Sequence, residues 1–202
     1  MKLYYGKGTC SLAAHIALHE AGLTAELTRV DTKTKVMDNG GDFFQVNPKG
    51  YVPALVLDDG QMLTEVAAVV QYIADLKPES KLAPPAGTME RYRLIEWLTF
   101  VSSELHKGFS PLFSPETPED YKPFVHKRLG TRQAFVNEHL KGRQYLMGDT
   151  FTVADAYLFV TTHWARLVKV DISSFAELLQ FQERVAKRPA VQAAMKAEGL
   201  LK

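Results

Sequence analysis

The chain has 202 residues, 46% of them hydrophobic, with 24 basic against 23 acidic side chains and a single cysteine. A net charge of +1 excludes a broad electrostatic pull toward nucleic acid or an acidic membrane surface, and one cysteine excludes an internal disulfide. No stretch reaches the roughly 20 apolar residues that cross a bilayer, and Met1-Lys2-Leu3-Tyr4 does not open a secretory leader, so the expectation is a soluble, cytoplasmic protein with a sizeable core.

In chain order, Leu3-Tyr4-Tyr5 reads as a strand, and Gly6-Lys7-Gly8-Thr9 turns it into an amphipathic helix over 11–21 that ends at Gly22. Further strands are expected at Glu26-Val30, Ala54-Leu57 and Met62-Leu63, the last two joined by the turn signal Asp58-Asp59-Gly60. A short helix fits Phe43-Val46, and a longer one fits 65–76. The order βαβ, short helix, ββα predicts a small mixed sheet with helices on its faces, occupying residues 1–78. The prolines and glycine of 79–87 break helical pattern and are expected to form a linker.

Residues 88–202 carry helical periodicity only, which predicts an all-helical second domain. Thr88 caps a helix running to Gly108; Thr117-Pro118-Glu119-Asp120 opens a second, reaching about Leu140. Thr152-Val153-Ala154-Asp155 and Ser174-Phe175-Ala176-Glu177 have capping-box spacing and start two more.

Three elements of the first domain carry chemistry. Cys10 lies at the first strand-to-helix turn, where amide N–H groups and the helix dipole favour a thiolate and lower the thiol pKa below its free value of about 8.5. Read alone, it is equally a small buried filler. In Asn47-Pro48-Lys49-Gly50-Tyr51-Val52-Pro53, a cis Val52-Pro53 bond turns the Val52 backbone groups toward an extended peptide, whereas a trans proline merely starts an edge strand. In Leu63-Thr64-Glu65-Val66, the amides of 65 and 66 suit a ligand carboxylate and the Glu65 side chain suits an ammonium; the alternative is a glutamate that complements the helix dipole.

In this order and on this topology the three elements resemble the glutathione S-transferase family, and the likeness spans the chain. Cysteine at the first turn is similar to the bacterial beta class. So are Glu104-Leu105-His106-Lys107-Gly108-Phe109, which looks like that class's active-site stretch, and Phe151-Thr152-Val153-Ala154-Asp155-Ala156, which resembles the family's folding motif. The resemblance implies a thioredoxin-like first domain and an all-helical second one. It makes Cys10, His106 and Lys107 the catalytic side chains, with His106 and Lys107 facing the sulfur of bound glutathione.

By the same resemblance Val52 pairs with the ligand backbone beside a cis Pro53, Glu65 and Val66 hold the γ-glutamyl end, Lys35 reaches the glycyl carboxylate, and Thr99, Ser103 and Glu104 complete the glutathione set. Val66 stands where serine or glycine is usual, and Thr99 where the beta class has asparagine, so a hydroxyl contact and an amide contact are lost. An apolar wall of Phe109, Pro111, Leu112, Phe113 and Trp164 is expected to take an electrophile.

Glutathione is thus the implied co-substrate, a homodimer the implied assembly and conjugation the implied reaction. Thiol–disulfide exchange or reductive dehalogenation through Cys10 stands as an alternative, as does a non-enzymatic binding or stress-regulatory role. His15 and His19 have an i, i+4 spacing that metal sites use, but no third ligand accompanies them, so no metal is expected.

Overall fold

The computed structural model describes residues 1–201. Its contacts divide the chain into two compact units, one formed by Met1–Ala83 together with the chain from Arg188 on, the other by Pro84–Lys187.

The first unit is built on four strands, β1 (Lys2–Tyr5), β2 (Glu26–Arg29), β3 (Ala54–Val56) and β4 (Met62–Thr64), in the order β2-β1-β3-β4. β1 runs parallel to β2 and antiparallel to β3, and β4 closes an antiparallel hairpin on β3, which is the mixed sheet the sequence predicts. Neighbours along a strand point to opposite faces. The register pairs Leu3 with Leu55 and Tyr4 with Ala54, and all four are buried, so both faces of the sheet are covered. On the Tyr4 face the cover is Phe43, in a 3-10 turn over Phe43–Gln45, with Val30, Met37, Val46 and Val52 packed around it.

Helices α1 (Leu12–Glu20) and α2 (Val66–Leu76) pack against each other. α1 is not amphipathic in place, since every residue from Leu12 to Leu18 is buried. The reason lies at the far end of the chain, whose last helix packs on α1. By its contacts that segment belongs to the first unit and not, as its helical periodicity predicts, to the second.

The second unit holds α3 (Met89–Phe100), a π-helical turn over Val101–His106, α4 (Lys107–Phe113), α5 (Lys122–Leu140), α6 (Val153–Leu167) and α7 (Ala176–Ala186). Thr88 Oγ1 accepts the Arg91 N–H and starts α3 as expected. The helix does not end near Gly108; helical winding continues through the π turn and α4, with Pro111 inside it. Nor does α5 begin at Thr117. Pro118 to Tyr121 form a turn, and the helix opens at Lys122, with Pro123 in its first turn.

α6 is buried on nearly every side, and its N-terminus is the Thr152–Asp155 capping box. Ser174 does not cap α7: the N–H of Leu178 is answered instead by Asn137 Oδ1 of α5 at 3.1 Å. Helix α8 (Pro189–Ala197), which opens on a proline at its first position, completes the first unit.

Candidate active site

In the first unit the turn after β1 is fixed by a fully buried serine. Ser11 Oγ accepts the Gly6 N–H at 3.0 Å and lies 2.8 Å from Thr9 Oγ1. Gly8 adopts φ +67°, a left-handed conformation that favours glycine, and its N–H donates to Glu198 Oε2 at 2.8 Å. The other oxygen of Glu198 lies 3.1 Å from His15 Nδ1, and neither side chain is exposed by more than 3%. Thus the loop ahead of the cysteine is anchored by a carboxylate that follows α8. His15 stacks on His19 with ring centroids 5.1 Å apart.

Cys10 follows this loop, two residues ahead of the first helical residue of α1, with 8% of its surface exposed. Its Sγ donates to the Val52 carbonyl at 3.2 Å. The Val52-Pro53 bond is cis, and Pro53, buried, leads into β3. Before it, the strap is held by Asn47, whose Nδ2 donates to Tyr51 O at 2.8 Å. Lys35 Nζ lies 5.7 Å from the exposed Tyr51 ring.

Glu65 sits at φ +68°, ψ +122°, a strained conformation for a residue with a Cβ, at the residue before α2. Its carboxylate is 2.9 Å from Lys49 Nζ, which also donates to Thr64 Oγ1 at 3.0 Å. Both charged side chains are largely exposed, so this pair contributes little to stability. The first amides of α2 have no intrahelical acceptor, and Val66, which opens the helix, is buried. Cys10 is thus brought to Val52, and Glu65 to the start of α2. Nothing in the spacing of Lys49 and Tyr51 reveals the partners they have.

In the second unit His106 closes the π turn. Its Nδ1 is 2.5 Å from the hydroxyl of Tyr157, and its ring meets Trp164 edge-on at 5.1 Å. Phe109 is fully buried and packs perpendicular to the Trp164 indole, and Phe113, half exposed, packs perpendicular to it as well. Of the expected apolar wall, Phe109 therefore serves as support. Lys107 is exposed. Ser103 Oγ donates to the carbonyl of Thr99, and Glu104 accepts from Arg132 Nε at 2.6 Å and Arg128 Nη2 at 3.3 Å. Sequence spacing gives no local signal for the contact between His106 and Tyr157, whose positions are 51 apart.

Comparison with known proteins gives a consistent result. The glutathione S-transferase N-terminal domain family matches residues 8–76 and the glutathione S-transferase C-terminal domain family residues 100–189. Glutathione S-transferase GstA of Escherichia coli O157:H7 is 50% identical over 200 residues, covering 99% of this chain and 100% of the relative. A sphingomonad glutathione S-transferase complexed with glutathione and the bacterial beta-class enzyme of Sphingomonas chungbukensis each superpose with a TM-score of 0.96 at 45% identity, covering both chains fully.

Proposed function

We propose that this chain, a member of the glutathione S-transferase family and of its bacterial beta class, seats glutathione along the Val52 strap with the tripeptide's sulfur at Cys10. It is a glutathione transferase with glutathione as co-substrate: GstA, 50% identical along the full chain, bears that name, and the sphingomonad relative binds glutathione. The carrying observation is the 3.2 Å contact from Cys10 Sγ to the Val52 carbonyl. It sets the only thiol against the backbone to which an extended peptide pairs.

A ligand cysteinyl backbone takes up the Val52 groups, its γ-glutamyl carboxylate the first amides of α2, and its ammonium the Glu65 side chain, now balanced by Lys49. Lys35 supplies the charge for the glycyl carboxylate. With a backbone amide but no hydroxyl at Val66, that end is held by fewer bonds. The N-terminus of α1 favours the thiolate form at Cys10. His106 and Lys107 enter by the family resemblance as groups acting on the sulfur. Thr99, Ser103 and Glu104 rest on the resemblance alone.

The electrophile is a small apolar molecule, which Trp164, Phe113, Pro111 and Leu112 receive. The protein works as a homodimer in the cytoplasm, a reading supported by the family and by the single cysteine.

The test is intact mass after incubation with glutathione disulfide. Cys10 thiolate attacks one sulfur of the disulfide, forming a Cys10–glutathione mixed disulfide and releasing glutathione thiolate. One glutathionyl adduct, removed by reductant and missing in Cys10→Ala, is expected. An adduct-free wild type, or unchanged turnover in Cys10→Ala, rejects the role given to Cys10. Because the group is a thiol, disulfide exchange is the second reading, and turnover of hydroxyethyl disulfide against chlorodinitrobenzene separates the two.

A further inference from the structure

We propose that Tyr157 is the positioning residue of His106: its hydroxyl donates to Nδ1, fixes the proton of the neutral imidazole on Nε2, and makes His106 a hydrogen-bond donor toward sulfur rather than a base. The proposal rests on the reading that His106 acts on the glutathione sulfur; the tautomer itself follows from the second unit alone. Tyr157 is 1% exposed on α6, a helix whose start is locked by the Thr152–Asp155 capping box, so its hydroxyl is held in place. That hydroxyl lies 2.5 Å from Nδ1, within hydrogen-bond distance.

A phenol O–H is a far stronger acid than the N–H of a neutral imidazole, so in this pair the tyrosine donates and the ring nitrogen accepts. The nitrogen that accepts cannot carry the proton, and the tautomer of a histidine is set by the bond its other nitrogen makes. Nε2 then bears the hydrogen.

Rotation of the ring, which would exchange the two nitrogens, is opposed by packing on two sides. Trp164 meets the imidazole edge-on at 5.1 Å, and the Tyr157 ring lies at 81° to it at 5.8 Å. His106 is also the last residue of a π turn, so the backbone that carries it departs from ordinary α-helical winding. An imidazole presenting Nε2–H donates to an anionic sulfur and stabilises it. The opposite tautomer would present a lone pair, which repels a thiolate and serves only to deprotonate a thiol.

The experiment records long-range proton–nitrogen correlation spectra of the histidine side chains in the full-length protein above the titration of His106, with the signals assigned through His106→Gln. Expected are a protonated-type Nε2 and an unprotonated-type Nδ1 in the wild type, and averaged, mixed-tautomer nitrogens in Tyr157→Phe. A wild type with the proton on Nδ1, or a Tyr157→Phe spectrum with the wild-type pattern, overturns the proposal. Phenylalanine keeps the ring in the core, and a wild-type denaturation midpoint confirms that the variant is folded.

In turnover of chlorodinitrobenzene, Tyr157→Phe is expected to lower kcat/KM on the order of tenfold and to displace its pH profile, with no further loss when added to His106→Gln. If His106→Gln leaves turnover untouched while the spectra show the expected tautomer, the catalytic reading of His106 fails and the positioning by Tyr157 stands. If His106→Gln abolishes turnover and Tyr157→Phe alters neither spectrum nor profile, the reverse holds.

Discussion

Glu104 and Gln133 are polar side chains of the second unit with opposite fates. Glu104 is answered by two guanidinium groups, and the bond from Arg132 is the main reason its carboxyl titrates below the ordinary range. A carboxyl with a lowered folded pKa contributes its full stabilisation above the unfolded value of about 4.3 and loses it as pH falls through the folded value. Arg132→Ala is therefore expected to lower stability by a constant amount above about pH 5, with the gap to wild type closing at lower pH. Chemical denaturation at a series of pH values reads this, and a gap of constant size down the acid limb rules it out. Gln133, 1% exposed in the buried stripe of α5, has no partner for either its Nε2 or its Oε1 among the described residues. Unpaired buried groups cost about 1–3 kcal/mol. Gln133→Met keeps the length and removes both, so a denaturation midpoint higher by about 1 kcal/mol of stability is expected at unchanged m-value, and a lower midpoint contradicts the account.

At the scale of an element, α6 shows what one cap is worth. Asp155 is fully buried; its Oδ2 accepts both the Thr152 N–H and the Thr152 hydroxyl at 2.8 Å, and its Oδ1 accepts the Leu146 N–H at 2.8 Å. Thr152→Ala removes the hydroxyl's bond to Oδ2 together with the acceptor of the Asp155 N–H and is expected to cost about 1 kcal/mol. Asp155→Ala strands two buried amides and a hydroxyl, and about 3 kcal/mol is expected. Equal midpoints for the two variants would show that the carboxylate does no more than the hydroxyl. This box was legible in sequence because donor and acceptor are three residues apart. So were the strands of the sheet and the starts of α1, α2 and α3, each set by local turn chemistry and periodicity. The start of α7 was not, since its cap comes from Asn137 on another helix, and the Thr117 signal failed because Pro118 to Tyr121 close a separate turn before α5. At the site, Cys10, Val52 and Glu65 were legible as residues. The pairings of Glu65 with Lys49, of His106 with Tyr157 and of Gly8 with Glu198 were not, because each joins segments whose approach only the tertiary fold decides.

At the scale of the whole molecule, the first unit is assembled from two pieces of chain separated by the entire second unit. Polar contacts at both ends of α8 tie the returning piece to α1 and its loop. Arg188 donates to both oxygens of Glu20, at 2.6 and 2.8 Å, as α8 begins, and Glu198 accepts from Gly8 and meets His15 as it ends. The Arg188–Glu20 pair is bidentate and partly buried, whereas Glu198 is fully buried, and removing it takes away the acceptor of the Gly8 amide and the partner of the His15 ring. The apolar side of α8, Val191, Ala194 and Met195, is untouched by that change and keeps the helix docked. Glu198→Ala is therefore expected to cost about 3 kcal/mol by chemical denaturation and, since Gly8 lies two residues before Cys10, to speed alkylation of the thiol by iodoacetamide under native conditions. Glu198→Gln retains one acceptor and falls between. Wild-type alkylation rates in both variants would mean that the C-terminal segment stabilises the unit through its apolar contacts and leaves the cysteine loop to hold itself.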